Sequence, residues 1–289
     1  MEQNVVLQTI LNGFMLSFVL ILFALGLSLV FGIMHIINFA HGEIYMLGGF
    51  GIWWFYAEHN VNFILSLVLT MALVAGVGVV LEKFFYRRFR GQLLSGMILS
   101  VGLIFVIQAS VATGWGFLDK AIPTPGIEEG VVTFLGATIS RERLFVILMA
   151  VIAMVGLYLL LMRTKYGRMM RASAQDADAA ALQGISINAA GSMAMSVGCG
   201  IAAMAGVLAG SVFLVNPYMG GTPLLKALVT IILGGMGSLP GTILGGFIVG
   251  FTDSFGSTYL SSTLANMIIF LVLIAILVVR PLGFFGREH

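Results

Sequence analysis

Asn38, His41 and Glu43 lie together in the segment INFAHGE, between two apolar stretches. An amide, an imidazole and a carboxylate this close could hold a polar solute or bind a metal. The metal reading is not expected, because residues two apart on a helix do not face each other. Ionisable and amide groups at membrane depth are costly unless they are paired or wet. Two readings follow. Either these residues lie at or next to a path for a polar solute, or they form a turn at the membrane surface with Asn38 and His41 capping helix ends. No catalytic set accompanies them: HExxH and GxSxG are absent, and without any Gly-Lys pair there is no phosphate-binding P-loop.

The second stretch with chemistry to offer is Arg163 to Asn188, the longest polar run in the chain. Four cations, Arg163, Lys165, Arg168 and Arg171, crowd its first nine residues. Helix-forming residues follow, and Gly184 is a stop signal. One ordered polar helix outside the lipid is expected here, serving as the surface on which a cytoplasmic partner pushes.

The elements that must position these residues are membrane helices. The 289 residues are 60% hydrophobic and 9% charged, against about 25% charged in a soluble domain. The net charge of +2 is too small to point to nucleic acid. A lone cysteine, Cys199, excludes a disulfide framework and a cysteine metal site. The sequence predicts an all-α, polytopic transmembrane bundle forming a single domain over 1–289. A span needs about 20 apolar residues, and the candidates are 8–31, 44–57, 63–81, 93–113, 144–162, 189–215, 224–252 and 263–279. That makes about eight segments, of which 44–57 and 224–252 are expected to be discontinuous or re-entrant if they are not full spans. Lys and Arg in short loops set orientation. Residues 82–92 (Lys83, Arg87, Arg88, Arg90), 163–188 and the end of the chain (Arg280, Arg287) are therefore expected on the cytoplasmic side. The loop 114–143 mixes Lys120, Arg141 and Arg143 with Asp119, Glu128, Glu129 and Glu142, and is expected outside.

Glycine punctuates the rest. In LGGMGSLPGTILGG, Gly237, Gly241 and Gly245 recur every four residues, a spacing that lets helices approach closely. Pro240 predicts a helix break near Ser238–Pro240. The pattern LGGxG occurs at 47–51 and 233–237, a pointer to internal repeats. Asn216-Pro217-Tyr218 reads as a helix-ending loop on the outer side. Lys226 and Asp253 are expected to snorkel to opposite interfaces, whereas a fold-back at Ser238–Pro240 would bring them together.

INFAHGE followed by YMLGG, then YGRMMRASAQDADAAALQGI, NPYMG and GGMGSLPGTILGG, in that order, resemble the LivH-type permeases of branched-chain amino-acid ABC importers. The resemblance covers nearly the whole chain. It implies one of two related permease subunits in the inner membrane, paired with a LivM-like partner, with two cytoplasmic ATPase subunits and a periplasmic substrate-binding protein. Leucine, isoleucine and valine would be the substrates. The chain would hold no cofactor of its own, since ATP is bound by the partner subunits. Urea and short-chain amide permeases share the architecture, and a self-sufficient carrier or solute channel is the reading from another class. ABC permeases carry an EAA-x-x-x-G pattern on a cytoplasmic loop that seats in the ATPase. Here it is matched by Asp178-Ala179-Ala180 and Gly184, with Asp for Glu. The resemblance thus assigns ATPase coupling to Asp176, Asp178, Ala179, Ala180, Leu182 and Gly184. The residue types fit: small side chains allow close seating, Leu182 offers an apolar contact, and glycine permits a sharp exit.

Overall fold

The computed structural model describes residues 2–123, 130–134 and 137–286; Glu128, Glu129 and Arg287 lie outside them. Eleven α-helices carry the described fold: α1 Glu2–Met34, α2 His41–Ile52, α3 Phe63–Phe84, α4 Leu93–Trp115, α5 Arg141–Arg163, α6 Lys165–Gln175, α7 Ala177–Leu182, α8 Ile187–Gly210, α9 Gly221–Gly234, α10 Leu239–Tyr259 and α11 Ser262–Val279. A π-helical turn, Trp53–Glu58, extends α2, and a 3-10 turn, Tyr86–Phe89, follows α3. Strands β1 Val131–Phe134 and β2 Ala137–Ser140 form one antiparallel hairpin before α5. Six of these helices, α1, α3, α4, α5, α8 and α11, are long and apolar enough to cross a membrane.

Two of the expected segments differ from plain spans. Residues 224–252 are two helices, α9 and α10, folded back on each other. Gly235 and Gly237 make the turn with φ of +94° and +81°. Ser238 then caps α10, accepting from the Gly241 N–H at 3.2 Å, with Pro240 in the first turn, where its missing N–H costs nothing. Residues 44–57 belong to a helix that starts at His41 in the interior and continues through the π turn. Two contacts place its start. Ile36 packs on Gly96 near the beginning of α4, whereas Glu43 bonds Gln108, about three turns further along α4. The non-helical stretch 35–40 therefore climbs into the bundle before α2 begins.

The same order of parts occurs twice. A long helix (α1, α8), a non-helical stretch, a short helix (α2, α9) and a long helix packed alongside (α3, α10) run in opposite directions through the bundle. Gly237, in the turn before α10, sits beside Gly32 near the end of α1, while the start of α8 is bonded to the end of α3. The two units meet through glycine. A Cβ added to Gly26 would stand 2.6 Å from the Gly198 carbonyl oxygen, and one on Gly198 would stand 2.8 Å from the Gly26 oxygen. Gly42 and Gly220, at the starts of the two short helices, face each other in the same reciprocal way. The LGGxG pair is not the equivalence behind this repeat. Gly48 and Gly49 lie inside α2, where Gly48 abuts Ala203, whereas Gly234 and Gly235 end α9.

Small residues do the packing throughout, as their four-residue spacing predicts. Gly241 and Gly245 seat α10 on α9 at Gly234 and Thr230; Gly246 and Gly250 seat its other face on α1 at Ile21 and Ser17. Gly206 abuts the Tyr45 carbonyl, closing α8 on α2. Cys199 is buried in this core against Gly78.

The bundle has a basic end. Residues 82–92, α6, α7 and 280–286 gather there. The opposite end holds the hairpin and the bridge in which Lys120 and Val215 exchange backbone hydrogen bonds of 2.8 and 2.9 Å. It also holds the start of α1, because Gln8 accepts from the Thr138 N–H and Asn12 from Arg143.

Candidate functional site

Asn38, His41 and Glu43 are all buried in the chain, each 2% exposed or less, and each meets a different partner. Asn38 sits in the climbing stretch, and its side-chain oxygen accepts from the Tyr86 hydroxyl at 2.7 Å. Burial raises the Tyr86 pKa, so the phenol remains a donor. The His41 ring stacks on Phe23 with 5.2 Å between centroids. One carboxylate oxygen of Glu43 accepts from Gln108 at 3.0 Å. Among the described residues the Asn38 amide nitrogen and the second Glu43 oxygen have no hydrogen-bond partner, and the His41 ring lies against the Phe23 backbone as well as its ring. These side chains are thus packed inside the chain and not on its outer face. Among the described residues no group of three or more His, Cys, Asp or Glu could hold a metal.

At the basic end the polar stretch is two helices where one was expected. The chain breaks at Asp176, whose extended backbone ends α6 and whose carboxylate caps α7, accepting from the Ala179 N–H at 2.9 Å. A break satisfies the orphan N–H groups of the new helix start. The amphipathic α6 buries Gly167, Met170 and Ser173, one residue per turn, against α5 and α8. On α7, Asp178, Ala179 and Leu182 face out, with Leu182 87% exposed. Ala180 faces in and is buried. Gly184 leaves the helix with φ +81°.

A network that the sequence reading missed joins these two places. Glu82, at the end of α3, is fully buried and bonds Arg87 at 2.8 Å and Arg90 at 2.6 Å. It also accepts from the Ser192 hydroxyl at 2.6 Å. Arg90 reaches the Ile187 carbonyl and the Asn188 side chain, at the start of α8 and directly after the α6–α7 pair. The turn that carries Arg87 also carries Tyr86, the partner of Asn38. Two signals were available: Glu82 is the one acid in a cationic loop, and Gln108 the one amide in its apolar segment.

Lys226 and Asp253 do not go to opposite interfaces. Because α9 and α10 fold back on each other, Lys226 Nζ lies 2.7 Å from Asp253 Oδ2.

Known proteins are similar to this sequence along most of its length. A family model described as the branched-chain amino acid transport system / permease component matches residues 9–277. The high-affinity branched-chain amino acid transport system permease protein BraD of Pseudomonas aeruginosa is 32% identical over 97% of this chain and 96% of its own. The LivH permease protein of Escherichia coli K12 is 32% identical with the same coverage. A probable LivH permease of Methanocaldococcus jannaschii is 26% identical over 83% of this chain and 78% of its own. No solved structure matches. With the family model covering nearly all of a polytopic helical bundle, the chain belongs to the permease-component family of branched-chain amino acid transport systems.

Proposed function

We propose that this chain is the membrane permease subunit of an ABC importer that moves leucine, isoleucine and valine across the inner membrane. It pairs with a second, LivM-like permease subunit. Two cytoplasmic ATPase subunits bind the ATP, and a periplasmic binding protein delivers substrate. The observation that carries this reading is the end-to-end identity with permeases named for that transport. The α6–α7 pair supports it, since a short capped helix at the basic end presents small residues and Leu182 outward, a form that suits a groove on a partner. Asp176, Asp178, Ala179, Leu182 and Gly184 form the face offered to the ATPase, and Ala180 anchors that face to the chain's own core. Asn38, His41 and Glu43 lie next to the translocation path, and their unpartnered atoms take water.

The test is uptake of labelled leucine by proteoliposomes holding the assembled transporter. Uptake is expected only with both ATP and the loaded binding protein, and the permease should co-purify with ATPase subunits. Uptake by this chain alone, down a gradient, would mean a self-sufficient carrier or channel. ATP-dependent uptake of urea or a short-chain amide in place of leucine would move the substrate assignment to that branch.

A further inference from the structure

We infer that Lys226 and Asp253 form a weak, transient station for the zwitterionic head of the amino acid, on a wall of this chain that faces the translocation path. The inference rests on the importer reading and adds the residues that meet the substrate.

Position comes first. Lys226 is in the second turn of the short helix α9, which starts in the bundle interior where Gly220 meets Gly42. Asp253 lies six residues from the end of α10, about 9 Å inside it at 1.5 Å per residue. The pair is therefore within the thickness of the bundle. Its side chains nevertheless keep 19% and 16% of their surface. Thr222, one turn before Lys226 on the same face of α9, is exposed, as are Leu225 and Tyr218.

Chemistry decides what that face meets. Partly exposed charges at membrane depth belong on a bundle interior or a wet cavity, not against acyl chains. The neighbouring backbone gives the same answer independently. Residues 216–220 are non-helical, and the start of α9 has no side-chain cap. Such backbone is tolerated at membrane depth only where protein or water covers it. An α-amino acid carries an ammonium and a carboxylate on one carbon. A cation and an anion within reach of one ligand, beside exposed Leu225 and Tyr218 for an aliphatic side chain, match that arrangement. When the station is empty the pair closes on itself at 2.7 Å. Substrate must displace that contact, so binding stays weak, as a conducting site requires.

The experiment uses the complete transporter in proteoliposomes. Lys226→Met/Asp253→Asn removes both charges and leaves neither partner stranded. Uptake of labelled leucine should fall about tenfold or more, with assembly, ATP hydrolysis and the binding protein's affinity retained. Wild-type uptake by this double variant overturns the proposal. A second measurement stands if the double variant fails to assemble. In a Cys199→Ser background, Thr222→Cys should react with a charged, water-soluble thiol reagent, whereas Leu271→Cys on the exposed face of α11 should not. Equal inertness of the two cysteines also overturns it. Failure of the wild-type transporter to take up leucine would instead count against the importer reading, because the cysteine reactivities do not depend on which solute is carried.

Discussion

Arg90 holds Glu82 at 2.6 Å with one guanidinium nitrogen and reaches the Ile187 carbonyl and Asn188 with the other. One arginine thus fastens the end of α3 to the start of α8, the point where the chain leaves the α6–α7 pair. Tyr86, in the 3-10 turn that follows α3, bonds Asn38 in turn. This is a contiguous set of bonds between the basic end and the polar interior.

Glu82→Gln should weaken that fastening. Removing one partner of a buried ion pair costs about 3–5 kcal/mol; with both arginines partly exposed here, about 2–3 kcal/mol is expected. Thermal unfolding of the purified complex measures it. The variant should also hydrolyse more ATP per leucine moved, and an unchanged ratio would limit the network to a structural role.

Leu182→Glu should leave the permease at normal levels in the membrane, because this side chain is 87% exposed in its own chain. Association with the ATPase subunits should drop severalfold in pull-downs. Gly184→Val acts through the backbone instead: an added Cβ meets no atom within 4 Å, but φ +81° costs a β-branched residue about 1–2 kcal/mol. Ala180→Trp is a test of folding rather than docking, since Ala180 is already buried. Normal ATPase binding by Leu182→Glu would remove α7 from the docking face.

Sidedness is measured by impermeant maleimide on single cysteines in a Cys199→Ser background. Leu118→Cys at the hairpin end should label in intact cells, and Asp178→Cys only after permeabilisation. Both positions are exposed, unlike Ser173, which packs inward on α6. The reverse pattern would invert the proposed orientation.

Glu43→Gln keeps shape and removes a carboxylate that has one partnered and one free oxygen. Leucine uptake per permease should slow while the binding protein's affinity is unchanged. Asn38→Leu should do the same and also strand the Tyr86 hydroxyl, at about 1–3 kcal/mol. Unchanged uptake in both would place these residues outside the transport cycle.

Gly206→Ala and Gly76→Ala separate packing from helix propensity. A Cβ at 206 falls on the Tyr45 carbonyl, whereas one at 76 meets nothing within 4 Å. The first should reduce folded protein sharply, and the second should shift stability by no more than about 1 kcal/mol. Equal stabilities on heating would contradict the α2–α8 contact.

The helical class, the break at Ser238–Pro240 and the clustering of cations at one end were legible, because hydropathy, proline and charge each act locally. The partners of Asn38 and Glu43 were not, since Tyr86 and Gln108 are 48 and 65 residues away and nothing local announces the pairing. Lys226 and Asp253 show the same limit. Their separation in sequence suited snorkelling, and only the antiparallel return of α10 onto α9 made them neighbours. The split at Asp176 was hidden because alanines on both sides favour a continuous helix, and one capping carboxylate decided against it.

The reciprocal meeting of Gly42 with Gly220 also bears on biogenesis. A bundle whose two units are antiparallel copies in layout offers the insertion machinery nearly the same succession of apolar lengths from either direction. Span length alone then cannot choose which way the nascent chain threads. The choice falls to the few arginines and lysines at 83–90 and 163–171. Arg87 and Arg90 thus serve twice, holding Glu82 in the folded chain and adding to the charge bias that sets threading during synthesis.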